Sequence, residues 1–247
     1  MSDERIDFYF PKSWEELSDK QLILVYKSLS SNFSEEQICI HLLFRWNNVK
    51  VVAQRGDGTY YLSSKSGGKK KLFIVSPNQI AEILPMVRWI VEPPLLPVRV
   101  SRFGFHRAID ADFSEVPFEK FVMCDNLFQG YLNSKDEDLL DQMASIMYGY
   151  TGRMKPWMRI NIFYWAVALK NLLSAKFFEF FQPVSSQQVD SLEKPTAEDS
   201  MNAMIRALTK GDITKEKEVL AMDTWRALAE LNAQAKEYRE FNQKYKK

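Results

Sequence analysis

A few histidine, cysteine and carboxylate side chains are the residues of this chain that could support catalysis or bind a metal. His106 would serve as a general base if a nucleophile or carboxylate lay within hydrogen-bonding distance, but nothing in the sequence places one there. Cys39 and Cys124 lie among apolar neighbours and outside any CxxC pair, and with His41 they do not give the ligand spacing of a zinc site. We therefore expect buried thiols, no metal site and no cofactor.

The acidic clusters and the glycine-containing stretch have simpler interpretations than catalysis. Asp136, Glu137 and Asp138 in "SKDEDLLD" stand where the N-terminus of a helix favours negative charge. The stretch "QRGDGTYY" contains neither GxxxxGK[ST] nor GxGxxG, and its β-branched and aromatic flanks are typical of a hairpin turn. No motif supports an enzyme, so the sequence predicts a non-enzymatic protein.

Two short basic stretches are candidates for a nucleic-acid site. The chain has 33 Lys and Arg against 32 Asp and Glu, a formal net charge of +1, so attraction to nucleic acid must come from local patches. Lysines neutralise phosphates and aromatic rings stack on unpaired bases. Solvated loops and helix-capping arginines would explain the same stretches. The alternative prediction is a nucleic-acid-binding accessory protein that uses basic loops near residues 65–71 and 99–107, with Lys69, Lys70, Lys71, Arg99, Arg102 and Arg107.

The last segment, "DTWRALAELNAQAKEYREFNQKYKK", carries the most organised apolar pattern of the chain. Its large apolar residues follow three- and four-residue steps over five turns, which predicts an amphipathic helix. This apolar seam would pack either on the chain's own body or on another chain, as a coiled-coil-like or helix-in-groove contact. We expect it to bind a protein partner or mediate self-association through Trp225, Leu228, Leu231, Tyr238, Phe241 and Tyr245.

Apolar periodicity and capping residues predict helices in the first half of the chain. Ser18 precedes a first helix, and Ser34 begins a capping-box pattern before a second. The pattern changes near residues 49–75, where a β-hairpin with a third strand is expected. Ser76, followed by proline, begins another helix, in which Pro85 should produce a kink or a new start.

The second half of the chain is predicted to be helical after an irregular segment over residues 93–111. Helices are expected from Pro117, over residues 136–148 and from Pro156 to about Phe181, and a long closing helix from about Thr214. The predicted fold is mainly α. It comprises a bundle-like body over residues 1–182 with the small β-insertion, a linker or excursion loop over 183–199, and a C-terminal helical module over 200–247.

The apolar stretches favour a cytoplasmic protein over a membrane protein. The first residues, "MSDERIDFYFPKSW", lack the long apolar region of a secretory signal. The most apolar stretch, from Ile160 to Leu169, falls short of the roughly 20 residues that span a bilayer. We therefore expect cytoplasmic residence and no membrane contact.

Three phrases of the sequence resemble a known group of proteins. They are "FYFPKSWEELSDKQL", "CDNLFQGYLNSKDEDLLDQMASIMYG" and "VLAMDTWRALAELNAQAKEYREF", which together cover about a third of the chain. The chain resembles uncharacterised proteins of Bacteroidetes prophages and mobile elements, which are similar to phage tail-assembly chaperones in size and helix content. The resemblance implies a cytoplasmic protein that binds a phage structural protein, and it transfers no functional residue.

Overall fold

The computed structural model describes residues 8–66, 69–182 and 197–245, and these ranges are mainly helical. Helices account for 63% of the structure, with ten α-helices and a small three-stranded antiparallel sheet. The mainly α fold predicted from the sequence is thereby confirmed. The chain divides into two compact units, which we call unit 1 (Met1–Pro94 with Lys155–Asn161) and unit 2 (Leu95–Met154 with Ile162–Lys247).

Unit 1 consists of helices and one sheet, in the order expected from the sequence. Short 3₁₀ turns occupy Trp14–Glu16 and Arg88–Val91. Pro85 lies inside the helix Pro77–Val87, two residues before its end. The elements are α1 (Asp19–Leu29), α2 (Glu35–Trp46), β1 (Lys50–Gln54), β2 (Tyr60–Ser66), β3 (Lys69–Val75) and α3 (Pro77–Val87).

Local side-chain hydrogen bonds determine where the helices of unit 1 begin. At α2, the Ser34 hydroxyl accepts a hydrogen bond from the Gln37 amide at 3.2 Å, and the Gln37 side chain accepts one from the Ser34 amide at 2.9 Å. This reciprocal pair satisfies two of the amide groups that a helix N-terminus leaves unpaired. Ser76 and Gln79 form the same arrangement at α3. The predicted capping box at Ser34 is confirmed.

The sheet of unit 1 is antiparallel in the order β1-β2-β3, and its first turn is a hairpin. The Gly58 amide donates to the Arg55 carbonyl at 3.0 Å, and Gly58 has a φ of 87°, which glycine adopts without steric cost. Leu62 and Val75 pack with Leu43 and Ile80 in the buried core of the unit. The hairpin and third strand are therefore confirmed, and the glycines of "QRGDGTYY" form a turn.

Unit 2 consists of helices and a two-stranded hairpin. Asp136 caps the helix Glu137–Tyr148 by accepting a hydrogen bond from the Asp138 amide at 3.0 Å, and Gly149 ends that helix with a φ of 64°. The elements are β4 (Arg102–Phe103), β5 (His106–Arg107), α4 (Phe118–Ser134), α5 (Glu137–Tyr148), α6 (Pro156–Lys176, of which the first residues belong to unit 1), α7 (Phe178–Phe181), α8 (Ala197–Thr209), α9 (Glu216–Ala221) and α10 (Thr224–Tyr245).

Aromatic side chains fill the core of unit 2. Trp165 is fully buried and packs edge-on against Phe113, with ring centroids 6.1 Å apart, and against Tyr148 at 5.7 Å. Phe103 stacks on Tyr148 with ring centroids 3.9 Å apart. No helix of the described ranges, α6 included, is both long and apolar enough to cross a membrane. Separately, the apolar stretch of α6 contributes Ile162, Trp165 and Leu169 to the buried core.

The structure corrects three predicted element boundaries. Residues 93–111, expected to be irregular, contain the β4–β5 hairpin. The helix predicted to run from Pro156 to Phe181 breaks at Phe177, whose φ of −112° and ψ of 48° are not helical. The closing helix begins at Thr224, ten residues later than predicted, because Met222 is extended with a ψ of 150°. Of the predicted linker, residues 183–196 lie outside the described ranges.

We predict that Ser34→Ala lowers the free energy of unfolding by about 1 kcal/mol, the usual cost of losing an N-cap. The matched control is Asn32→Ala, an exposed polar residue of the same loop that caps no helix, and it should cost less than about 0.5 kcal/mol. Urea denaturation followed by circular dichroism measures both values. Equal effects of the two substitutions would contradict the capping interpretation.

Candidate functional site

The six predicted partner-binding residues of α10 divide into a covered half and an exposed half. Leu228 and Leu231 are 0% and 4% exposed, and Trp225 is half-buried with its ring edge-on to Phe177 at 5.7 Å. The first half of the seam is thus buried within unit 2 itself. The other three residues are Tyr238, Phe241 and Tyr245, which are 65%, 58% and 72% exposed.

Hydrogen bonds at the start of α10 join it to a loop more than a hundred residues earlier. The Thr224 hydroxyl and amide both donate to the Val116 carbonyl, at 2.7 and 2.9 Å, and Thr224 is fully buried. One Asp223 carboxylate oxygen accepts from the Glu115 amide at 2.8 Å, and the other caps α10 by accepting from the Arg226 amide at 2.9 Å. We call this set of contacts the α10 anchor.

The loop that receives the α10 anchor, residues 109–117, is held largely by side chains from elsewhere in unit 2. Arg99 donates to the Ile109 carbonyl at 2.8 Å, and the indole groups of Trp165 and Trp225 donate to the carbonyls of Ala111 and Asp112 at 2.6 and 2.8 Å. Buried backbone groups require such partners, because an unpaired one costs free energy comparable to a lost hydrogen bond. These contacts hold the loop in a single conformation, and the loop in turn fixes where α10 starts.

Two further contacts attach the middle of α10 to α7. The Phe180 amide donates to the side-chain oxygen of Asn232 at 3.1 Å. Arg239 donates to both the side chain and the backbone carbonyl of Glu179, and each of these charged side chains is about one-third exposed. α10 is therefore held at its first turn, and it is held again at Arg239, within its second half.

The exposed residues Tyr238, Phe241 and Tyr245 form what we call the aromatic strip. Their spacing of three and then four residues places them on one side of α10. The rings of Phe241 and Tyr245 pack against each other with centroids 4.4 Å apart. A row of exposed aromatic rings on a helix presents a large apolar contact area together with two phenolic hydroxyls, a combination that is enriched at protein interfaces.

Five of the six basic candidate residues lie in three strands and Arg99 lies in the segment before β4, so they are divided between two units. Arg99 is half-buried, bonded to the Ile109 carbonyl and lies 5.5 Å over the Trp165 ring, so it supports the loop from within. Arg102 and Arg107 are exposed and directly opposite each other in the β4–β5 hairpin, next to the fully exposed Phe105. The lysine group belongs to β3 in unit 1: Lys70 and Lys71 are exposed, and the side chain of Lys69 is outside the described part.

His106 lies on a hairpin and Asp136 at a helix N-terminus in the described part of the chain. His106 is exposed on β5, and its ring lies edge-on to Tyr150 at 5.4 Å. Asp136 caps α5, and within the described ranges no group of three or more His, Cys, Asp and Glu residues could hold a metal ion.

Both cysteines are buried free thiols. Cys124 lines a narrow, largely apolar cavity of unit 2 with Phe121, Met143 and Leu173, and its burial raises the pKa of the thiol to about 12. Burial, with a smaller effect of the Glu35 carboxylate, also raises the pKa of Cys39. A thiol is nucleophilic as the thiolate, so neither cysteine is poised for catalysis.

Sequence reasoning did not single out the residues that position the candidate surface. Asp223 and Thr224 bond to Glu115 and Val116, 108 residues away along the chain, and no local pattern encodes that pairing. The local signal present was the Asp-Thr pair itself, because aspartate followed by threonine at the start of an apolar pattern is typical of a helix N-cap. That signal would have placed the start of α10 correctly.

Comparisons with known proteins do not assign this chain to a family. No family model matches the chain, and no curated protein and no solved structure is significantly similar to it. The candidate function therefore depends on the geometry of the exposed surfaces and on the sequence resemblance.

We predict that Thr224→Val lowers the free energy of unfolding of unit 2 by about 1 to 2 kcal/mol, because it removes a buried hydrogen bond while preserving side-chain shape. Thr214→Val is the matched control in the same unit. The Thr214 hydroxyl donates to Asp212 at 2.6 Å but is exposed, so its loss should cost less than about 0.5 kcal/mol. Hydrogen exchange of the first-turn amides of α10 provides the measurement, and no increase in exchange in Thr224→Val would contradict the anchor.

We predict that the folded protein becomes less stable as the pH rises above about 9, in part because of Cys124. Its pKa is raised from an ordinary value of 9.0 to about 12 on folding, so between these values the unfolded chain loses a proton that the folded chain keeps, and unfolding is favoured. In a Cys39→Ala background, adding Cys124→Ala should make the decline in unfolding free energy with pH less steep. A thiol reagent at pH 8 should leave Cys124 unmodified until the protein is denatured, and rapid modification of the folded protein would contradict this prediction.

Proposed function

We propose that this is a non-enzymatic interaction protein, and that its aromatic strip holds a helical segment of a partner protein. The observation that supports this most directly is the exposure of Tyr238, Phe241 and Tyr245, each more than half exposed, on a helix whose first half is buried in unit 2. Large aromatic residues are seldom left exposed in a row without a binding role.

The anchored start of α10 gives the aromatic strip an advantage as a binding surface. Thr224 fixes the first turn, and Arg239 is bonded to Glu179 within the second half, so the strip is already ordered before a partner arrives. Binding then avoids much of the cost of ordering a flexible segment. A partner helix with apolar residues at similar three- and four-residue steps would bury the strip in a helix-in-groove or coiled-coil-like contact.

The resemblance to Bacteroidetes prophage proteins supports a more specific role in phage assembly. In this proposal the protein is a tail-assembly accessory factor of the chaperone-like kind, and it works in the cytoplasm. Its partner is a tail protein with long amphipathic helices, such as a tape-measure protein, which would aggregate if those helices were left uncovered. The aromatic strip would cover one such apolar face until assembly.

A second candidate function, nucleic-acid binding, is favoured by the β4–β5 hairpin. Arg102 and Arg107 face each other across two short strands, and like charges at directly opposed positions destabilise a hairpin unless an anion lies near them. Phe105, 100% exposed between the strands, could stack on an unpaired base. Lys70 and Lys71 of β3 would be a separate contribution from unit 1.

We predict that the triple variant Tyr238→Ser, Phe241→Ser and Tyr245→Ser loses the partner that the wild-type protein captures. The measurement is affinity capture of the tagged protein from cells with phage genes induced, followed by mass identification. The control is Lys236→Ala with Gln243→Ala, two exposed positions about half a turn from the strip. The control should capture as much partner as the wild type, because neither residue belongs to the strip.

The captured material distinguishes the candidate functions. A tail protein lost from the triple variant supports the assembly role, and light scattering of purified protein shows whether a second copy occupies the strip instead. A tail protein retained by the triple variant would contradict the proposed site. Recovery of nucleic acid alone, released by salt, would favour the Arg102 and Arg107 hairpin, because counterion release makes such binding weaken steeply with ionic strength.

A further inference from the structure

The two faces of the three-stranded sheet in unit 1 differ in what covers them. Residues alternate between the faces of a strand, and the pairs Leu62↔Phe73 and Tyr60↔Val75 place four apolar side chains on the face that packs into the core. The alternate pairs, Tyr61↔Ile74 and Ser63↔Leu72, point to the opposite face. We call this second face the outer sheet face.

The outer sheet face exposes an apolar patch. Leu72 and Ile74 of β3 are 70% and 58% exposed, although leucine and isoleucine are among the residues most often buried. Tyr61 on the central strand is half-buried, with the Arg55 guanidinium 5.6 Å from its ring centroid, and its partner Ala53 on β1 is exposed. The patch therefore runs across all three strands.

Three lysines lie at one end of this apolar patch, beyond Leu72. Lys65 and Lys70 are exposed cross-strand partners that follow the same alternation as Tyr61 and Ile74, and Lys50 is the exposed partner of Ser63. The three strands contain five lysines and no aspartate or glutamate. Two lysines in directly opposed positions repel each other, and a carboxylate placed between them would relieve that repulsion. The surface thus combines an apolar patch with lysines at one end and no carboxylate in its strands.

Charge and shape restrict what can occupy the outer sheet face. A second copy of the chain would bring lysines and no strand carboxylate to this face, so pairing of two such faces gains no charge complementarity. Single-stranded nucleic acid binds through stacked aromatic rings, whereas the exposed centre here is aliphatic at Leu72 and Ile74. Three strands spaced about 4.8 Å apart offer a strip about as wide as one α-helix, which is about 10 Å across.

We propose that the outer sheet face binds an acidic amphipathic helix of another protein. Apolar side chains of that helix, at three- and four-residue steps, cover Tyr61, Leu72 and Ile74. Its carboxylates pair with Lys50, Lys65 and Lys70 at one end of the face. The helix covers the side chains that β3 exposes on this face, beside the central strand, where Ser63 is already only 6% exposed. This site is in unit 1, so it is independent of the aromatic strip of α10 and does not rest on the proposed function.

The test measures binding of the full-length protein to defined probes by fluorescence anisotropy. The first probe is a labelled peptide of about 18 residues, five helical turns, with leucines along one side and glutamates elsewhere. The comparison probes are the same peptide with lysine in place of glutamate, an oligouridylate, and vesicles containing phosphatidylglycerol. The variants are Leu72→Thr with Ile74→Thr, which places β-branched residues in the strand, and Lys65→Glu with Lys70→Glu. The control is Leu95→Thr, an exposed leucine outside the sheet.

The expected result is micromolar binding of the acidic peptide, weakened roughly tenfold or more by the Leu72 and Ile74 substitutions and unchanged by Leu95→Thr. The Lys65 and Lys70 substitutions should weaken the acidic peptide and strengthen the lysine peptide. Circular dichroism verifies that each variant is folded. If the variant Lys65→Glu with Lys70→Glu does not fold, the variant Lys65→Gln with Lys70→Gln is used in its place.

Several results would overturn the proposal. They are the absence of acidic-peptide binding, equal affinity for the two peptides, and full affinity in the Leu72 and Ile74 variant. Preferential binding of the oligouridylate or the vesicles would assign the surface to a nucleic acid or a membrane instead. None of these results bears on the aromatic strip, which the α10 variants test separately.

Discussion

The buried contact between Thr224 and Val116 is the constraint on which the rest of the candidate site in unit 2 depends. The Thr224 hydroxyl and amide both bond to one carbonyl, and Asp223 bonds to the neighbouring residue of the same loop. Breaking a buried hydrogen bond costs more free energy than breaking an exposed one, because it leaves a buried polar group unpaired. The start of α10 therefore cannot shift along the loop without a large cost, and the position of every later side chain of α10 follows from it.

The loop that receives this contact is itself strained, and its strain explains why so many side chains support it. Phe113 and Glu115 have φ values of 63° and 58°, a left-handed conformation that residues other than glycine rarely adopt. Phe113 is fully buried beside Trp165, so packing offsets its unfavourable backbone. Arg99, which the sequence suggested for nucleic-acid binding, supports this loop by bonding to the Ile109 carbonyl.

Most of the fold could be predicted from the sequence because its signals are local. A serine with glutamine three residues later predicted α2, Gly58 with its neighbours predicted the hairpin, and apolar periodicity predicted α5 over residues 136–148. The breaks at Phe177 and Met222 were missed because apolar periodicity continues through both, although the Asp223–Thr224 capping signal marks the second of them. The sequence also identified the seam of α10, but which half of it lies buried depends on contacts with distant residues.

The strand order of unit 1 has a consequence for how the chain avoids fibre formation. Both β1 and β3 are edge strands, and β3 contains the consecutive apolar residues Leu72 to Val75, a run prone to cross-β stacking. Three lysines stand immediately before that run, and in-register stacking would place them about 4.8 Å from their copies. The register of β1 also shifts between Val51 and Ala53, so that edge is irregular. Replacing these lysines with apolar residues would therefore favour aggregation of the chain, besides changing the charge of the outer sheet face.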